Sequence, residues 1–211
     1  MRTFLTIFIL ICIHSGVFAK LEAMEGYYIT MDNDTVHGKI KVRIDYLDEL
    51  FYVRIQYGAY YEDSLGLLTR LDPEDIKLFR FFHKYQYFTF SSQQYFNNYR
   101  LFLHEINNDG ALKLFVHYRD VIDTRTNYGT LAFYLLDLPA SSERDAFYIL
   151  KPDGTSIKYN KYSGRKNIAE FFSDYPELQK KIERGLYGYT AVYKMVREYN
   201  SWYREKHAIN N

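Results

Sequence analysis

From Thr35 to Asp45 the chain reads TVHGKIKVRID and alternates at every step. Val36, Gly38, Ile40, Val42 and Ile44 fall on one face of an extended chain. His37, Lys39, Lys41 and Arg43 fall on the other. A period of two over this length marks a strand with one face buried and one in water. Gly26 to Thr30 (GYYIT) and the polar turn Met31-Asp32-Asn33-Asp34 complete a hairpin with it. Phe51 to Tyr57 (FYVRIQY) predicts a third strand. Asp72-Pro73-Glu74-Asp75 predicts a turn into a strand over 76–82, and Tyr85 to Phe90 (YQYFTF) predicts another. The clearest hairpin joins 100–106 to 111–118 around Asn107-Asn108-Asp109-Gly110. Pairing Ile106 with Ala111 sets Leu103 against Leu114 and Leu101 against Val116. That puts an aliphatic set on one face, which is what fixes a register. Leu131 to Leu138, Ala146 to Leu150 and Thr155 to Tyr159 are further strands.

From Ser163 the period becomes helical. Ile168, Phe171 and Phe172 fit i, i+3, i+4 spacing. Asp174 and Glu177 resemble a capping box, with Pro176 in the first turn and Leu178, Ile182 and Leu186 as the stripe. Gly185 and Gly188 break that helix. The last one runs over 189–206 with Val192, Met195, Val196, Tyr199, Trp202 and Tyr203 on one broad face, Trp202 as a core anchor. The order predicts an α+β fold: a mostly antiparallel, sandwich- or barrel-like sheet followed by two or three helices.

The N-terminus has a different character. Arg2 precedes an apolar run from Phe4 to Ile13, and Val17-Phe18-Ala19 offers a cleavage site before Lys20. This is the pattern of a secretory signal peptide over 1–19, cut between Ala19 and Lys20. The run is too short to span a bilayer comfortably, and no later stretch reaches 18 apolar residues. The remaining chain, 20–211, is expected to be one α+β domain with a β-rich part to residue 160 and a helical part over 161–211. Removal of 1–19 takes away the single Cys and Arg2, so Lys+Arg then equals the 26 Asp+Glu. This balance argues against a nucleic-acid binder. A cysteine-free exported domain large enough for its own core suits a bacterial envelope. The hydrophobic fraction of 47% with 25% charged residues argues against disorder.

Motifs for chemistry are scarce. Ser64 sits in Glu62-Asp63-Ser64-Leu65-Gly66, which lacks the first glycine of a nucleophile elbow. His104-Glu105 begins like a zincin helix, but position 108 is Asn and the segment reads as a strand. His104 and His117 share a hairpin face in the register above, too far apart for one zinc ion. Asp32/Asp34, Asp72/Asp75 and Asp120/Asp123 are paired carboxylates, but all lie in turns, where Asp serves local hydrogen bonding. No catalytic residue, metal site or cofactor is expected. The unusual feature is 23 Tyr. Tyr85, Tyr87 and Tyr95 are candidates for a platform that stacks sugar rings; the competing view is that Tyr simply suits half-buried strand faces.

Gly26-Tyr27-Tyr28-Ile29-Thr30 followed by Asp34-Thr35-Val36-His37-Gly38-Lys39-Ile40 resembles the opening of a group of uncharacterised exported proteins of Bacteroidota. Later pieces follow in the same order: Pro73 to Phe79, Leu112 to Arg119, Phe147 to Gly154, Phe172 to Leu178, and Tyr199-Asn200. The chain departs from the group at Asn33, where Gly is usual, and at Tyr175, where Cys is common. The resemblance implies an envelope protein without established activity, and some members carry a similar segment ahead of an outer-membrane β-barrel. It also implies O-glycosylation at Asp-Ser/Thr-aliphatic triplets, which Asp34-Thr35-Val36 and Asp63-Ser64-Leu65 fit at Thr35 and Ser64. Two functions follow as expectations. One is a non-enzymatic module that contacts an outer-membrane or other envelope protein; the other is a glycan-binding module.

Overall fold

The computed structural model describes residues 20–44, 48–96, 99–107, 109–121 and 141–208, with the backbone alone at 96, 120–121 and 141–143. The signal segment 1–19, including Ala19, lies outside the described residues, as do the strand expected over 131–138 and Asp123. Ten strands and four helices stand among the described residues. They are β1 (Lys20–Thr30), β2 (Thr35–Ile44), α1 (Tyr52–Gln56), β3 (Ala59–Glu62), β4 (Leu68–Leu71), β5 (Ile76–His83), β6 (Gln86–Phe96) and β7 (Tyr99–Asn107). There follow β8 (Lys113–Val121), β9 (Ser141–Leu150), β10 (Ser156–Tyr159), α2 (Arg165–Phe171), α3 (Pro176–Glu183) and α4 (Val192–Ala208), the last entered through a 3₁₀ turn at Tyr189–Ala191. The fold is α+β, its sheet mostly antiparallel and its helices mainly C-terminal. The described residues form two compact units, one from those within 20–102 and 118–143, the other from those within 103–117 and 144–208. The division runs through β7, β8 and β9.

In the first unit the hydrogen-bonded order is β7-β6-β5-β1-β2-β3-β4. The alternation of 35–45 sets its inner face. Ile40, Val42 and Ile44 are buried with Phe79, Phe81, Phe88 and Phe90. Phe79 stacks on Phe90 at 5.4 Å and meets Phe102 edge-on at 4.8 Å. Each such side chain contributes about 1.5–3 kcal/mol by leaving water. The hairpin of β1 and β2 places Gly26 opposite Gly38. A Cβ on Gly38 would stand 2.5 Å from the Tyr61 ring, so the bare glycine makes room for that ring. In the turn, Asn33 takes φ 73°, the left-handed region that Asn tolerates best after Gly.

The strand expected over 51–57 is instead the short helix α1. Phe51 O accepts from Arg54 N–H (3.0 Å) and Ile55 N–H (3.2 Å). Phe51, Val53 and Ile55 are buried, and a short apolar run fits helix or strand equally well. What decides is Gln56, which is fully buried. Its Oε1 accepts from Tyr118 N–H at 2.7 Å and its Nε2 donates to Tyr118 O at 3.0 Å. The side chain thus satisfies a β8 residue as a neighbouring strand would.

In the second unit the order is β10-β9-β8-β7. The β7–β8 register differs from the expected one: His104 pairs with Val116, Glu105 with Phe115 and, after a bulge, Asn107 with Leu114. His104 and His117 therefore lie on opposite faces of the hairpin. Asn200 of α4 explains the shift. Its Oδ1 accepts from Leu112 N–H at 2.7 Å and its Nδ2 donates to Leu112 O at 3.2 Å. A Cβ on Gly110 would stand 2.3 Å from Asn200 Nδ2, so the turn closes around that amide.

The capping box is also corrected. Tyr175 precedes α3 without a side-chain cap. Asp174 turns away to accept from Lys151 Nζ at 2.7 Å and from the Tyr199 hydroxyl. Two partners on β9's end and α4 outcompete one local N–H. α3 ends at Glu183, Gly185 follows at φ 75°, and Leu186 is exposed rather than part of the stripe. α4 buries Val192, Met195, Val196 and Tyr199. Trp202 is partly buried and stacks on Tyr175 at 4.6 Å.

Candidate binding surface

Strand register fixes what faces outward from the first unit. Tyr27 pairs with His37 and with Arg80; Arg80 pairs with Thr89, and Phe82 with Tyr87. Directly opposed residues share a face, and these have the parity opposite to Met24, Ile40, Phe81 and Phe88 of the core. The Tyr27 and His37 rings lie 5.5 Å apart. The Arg80 guanidinium sits 4.3 Å from the Tyr87 ring centre, and Phe82 meets the same ring edge-on at 5.1 Å. A run of His37, Tyr27, Arg80, Tyr87 and Phe82 thus crosses four strands. Glu25, Lys39 and Lys41 flank it, with Lys41 ion-paired to Glu62.

The hairpin that ends this run is strained. His83 pairs with Gln86, leaving Lys84-Tyr85 as a two-residue turn. Both have positive φ, 45° and 68°. Such turns favour Asn-Gly, because a Cβ in the left-handed region costs about 1–2 kcal/mol per residue. Lys84 Nζ donates to Glu49 Oε1 at 2.9 Å, a surface pair that offsets little of this. The turn holds Tyr85 out at 96% exposure. The double change Lys84→Asn, Tyr85→Gly is expected to stabilise the fold by about 1–3 kcal/mol. Thermal unfolding checks this; an unchanged or lower melting temperature would remove the strain argument.

The three candidate tyrosines do not form one cluster. Tyr85 and Tyr87 stand together at the hairpin end, Tyr87 at 61% exposure. Tyr95 lies eight residues along β6, about 27 Å away at strand rise, and is partly buried. Arg80, Phe82, Tyr27 and His37 were missed in the sequence because only the register brings them together. The signal for Phe82 and Arg80 was the two-residue turn, which pairs each β5 position with one on β6.

Thr35 opens β2 and is exposed, and Ser64 is exposed in the β3–β4 loop. There Asp63 Oδ1 accepts from Leu65 N–H at 2.8 Å and Leu67 N–H at 2.9 Å. Lys20 pairs with Ile44 and forms ion pairs with Glu22 (3.3 Å) and Asp48 (3.8 Å). Asp72 serves its own turn and accepts from Arg70 Nε at 2.8 Å. Of Asp120 only the backbone is described.

Two histidines in the second unit are shifted. His104 falls to about 4, chiefly through burial and then through the positive charge of Arg144. His117 is lowered by burial, which outweighs Asp145, whose Oδ2 lies 3.2 Å from Nδ1. Lys158 Nζ approaches the same carboxylate at 3.5 Å. Among the described residues no three His, Cys, Asp or Glu stand close enough to hold a metal ion. No helix among them is long and apolar enough to cross a membrane. Comparison with protein-family models, curated proteins and solved structures finds no match to this chain.

Proposed function

We propose that the protein is an exported, non-catalytic module of the bacterial cell envelope that binds a partner protein through the outward sheet face of its first unit. The observation that carries this reading is the packed Arg80–Tyr87–Phe82 group, continued by Tyr27 and His37. Tyr and Arg are the residue types that dominate interface hot spots. Here they are pre-organised, since Tyr87 is held between a guanidinium and a second ring. Glu25 and Lys39 beside them suit a polar rim. The export and envelope assignment rests on the segment 1–19 and on the resemblance to exported Bacteroidota proteins. An outer-membrane protein is the partner that resemblance favours.

The test is isolation of the protein from gently solubilised envelopes, beside the double variant Arg80→Ala, Tyr87→Ala. A stoichiometric membrane-protein partner is expected with the natural chain, with affinity at least about 30-fold weaker in the variant, as for one hot-spot loss of about 2 kcal/mol. Recovery of both as free monomers would defeat the proposal. A second reading, glycan binding, is favoured by one observation: Tyr85 offers its ring to solvent at 96% exposure. Polysaccharide binding abolished by Tyr85→Ala but kept in Arg80→Ala would support it instead.

A further inference from the structure

The second unit carries a cavity of about 330 Å³. It opens between the end of β10, the turn over 160–163, the start of α2 and the segment 185–189. Its walls are fixed in advance. Tyr159 and Tyr189 meet edge-on at 5.6 Å. Ile168 and Ile182 are buried at the base. The Tyr187 hydroxyl donates to Glu198 Oε2 at 2.6 Å, which holds that ring in place. The turn is closed by Asn160 N–H to Ser163 Oγ (2.9 Å) and Tyr162 N–H to Asn160 Oδ1 (2.8 Å).

The charges lining it have one sign. Arg165 and Lys161 belong to the lining, which includes no carboxylate among the described residues. The Arg165 guanidinium lies over Gly185, with its carbon 3.1 Å from where a Cβ would stand. Gly185 has φ 75°, a conformation a side chain would resist, so the bare backbone beneath the guanidinium is a stable feature. Burial raises the pKa of Tyr159 while the Arg165 charge opposes it, which places the guanidinium within electrostatic reach of that hydroxyl.

We propose that this cavity binds a small organic anion built on a hydroxylated six-membered ring: a sugar acid or a sugar phosphate. The cations supply charge-assisted hydrogen bonds to a carboxylate or phosphate. The tyrosine rings offer apolar faces to ring C–H groups. The Tyr159 hydroxyl, the Tyr187 oxygen as an acceptor and the Asn160 amide nitrogen suit a hydroxylated body better than an aromatic one. The volume sits at the small end for ligand sites, enough for one ring. The same anion could arrive free or as the end of a longer chain.

Calorimetric titration of the full chain with glucuronate, glucose 6-phosphate, neutral glucose and an oligosaccharide ending in glucuronate tests this. Saturable binding of at least one anion is expected, with glucose at least about tenfold weaker, matching the loss of one charged hydrogen bond. Arg165→Gln should weaken anion binding at least about tenfold, while Arg204→Gln on α4 should not. Arg165 is exposed, so the variant keeps its fold; Lys161→Gln and the salt dependence of the natural chain give independent readings. Binding of the chain end alone also supports the cavity and identifies the source. Absence of saturable binding by any anion, equal binding of glucose, or unaltered binding by Arg165→Gln overturns it. The Arg80→Ala, Tyr87→Ala protein should retain this binding, which separates it from the sheet-face proposal.

Discussion

Replacing Gln56 by leucine is expected to cost about 2–6 kcal/mol, because it leaves both Tyr118 N–H and Tyr118 O buried without the amide that now serves them. Leucine is branched and larger than glutamine by nearly a methylene, so a packing cost of about 1–3 kcal/mol adds to the loss of the hydrogen bonds. For a chain of this size the melting temperature should fall by on the order of 10 °C. Gln56→Asn, one methylene shorter, should lie between the two. Urea unfolding of the three proteins measures this. A loss below about 1 kcal/mol for the leucine variant would mean that water or a shifted β8 replaces the amide, and that Gln56 does not determine α1.

The second large effect is a dependence on acidity. His104 has a folded pKa of about 4 against its ordinary 6.5. In the interval between, the unfolded chain binds a proton that the folded chain refuses, so stability falls as pH falls. The contribution is fully present above pH 6.5 and lost progressively toward pH 4, reaching about 3 kcal/mol. His117, also lowered, acts in the same direction. Burial pushes Glu198 up, but Lys181 and Tyr187 together hold it below its ordinary 4.5, and it adds its own loss only below that value. The histidine effect is therefore read between pH 6.5 and 4.5. Unfolding free energies across that window should show a slope that His104→Gln reduces. An equal slope in the variant would exclude His104 as its source.

Both residues show where the sequence stops being legible. The β1–β2 hairpin could be read because its pattern is local: Ile40, Val42 and Ile44 alternate, and Asn33 marks the turn. Helices α2 to α4 were visible for the same reason, through Ile168, Leu178, Ile182 and Met195. The strand expected at 51–57 and the β7–β8 register failed because side-chain amides decide them from 62 and 88 residues away. Asp174 looked like a cap because its distant partners, Lys151 and Tyr199, leave no local trace. At the sheet face, Tyr85 and Tyr87 were legible as tyrosines near a turn. Arg80, Phe82, Tyr27 and His37 were not, since their neighbours belong to other strands. Tyr95 has the same composition signal as Tyr87 but the wrong distance along β6.

The clasp between Asn200 and Leu112 has a consequence in time. Leu112 joins the growing chain 88 residues before Asn200. At about 5–20 residues per second, about 4–18 s pass with the β7–β8 turn lacking its closing amide. Until α4 is made, the Leu112 N–H and C=O just before β8 have no amide to serve them, and water must take its place.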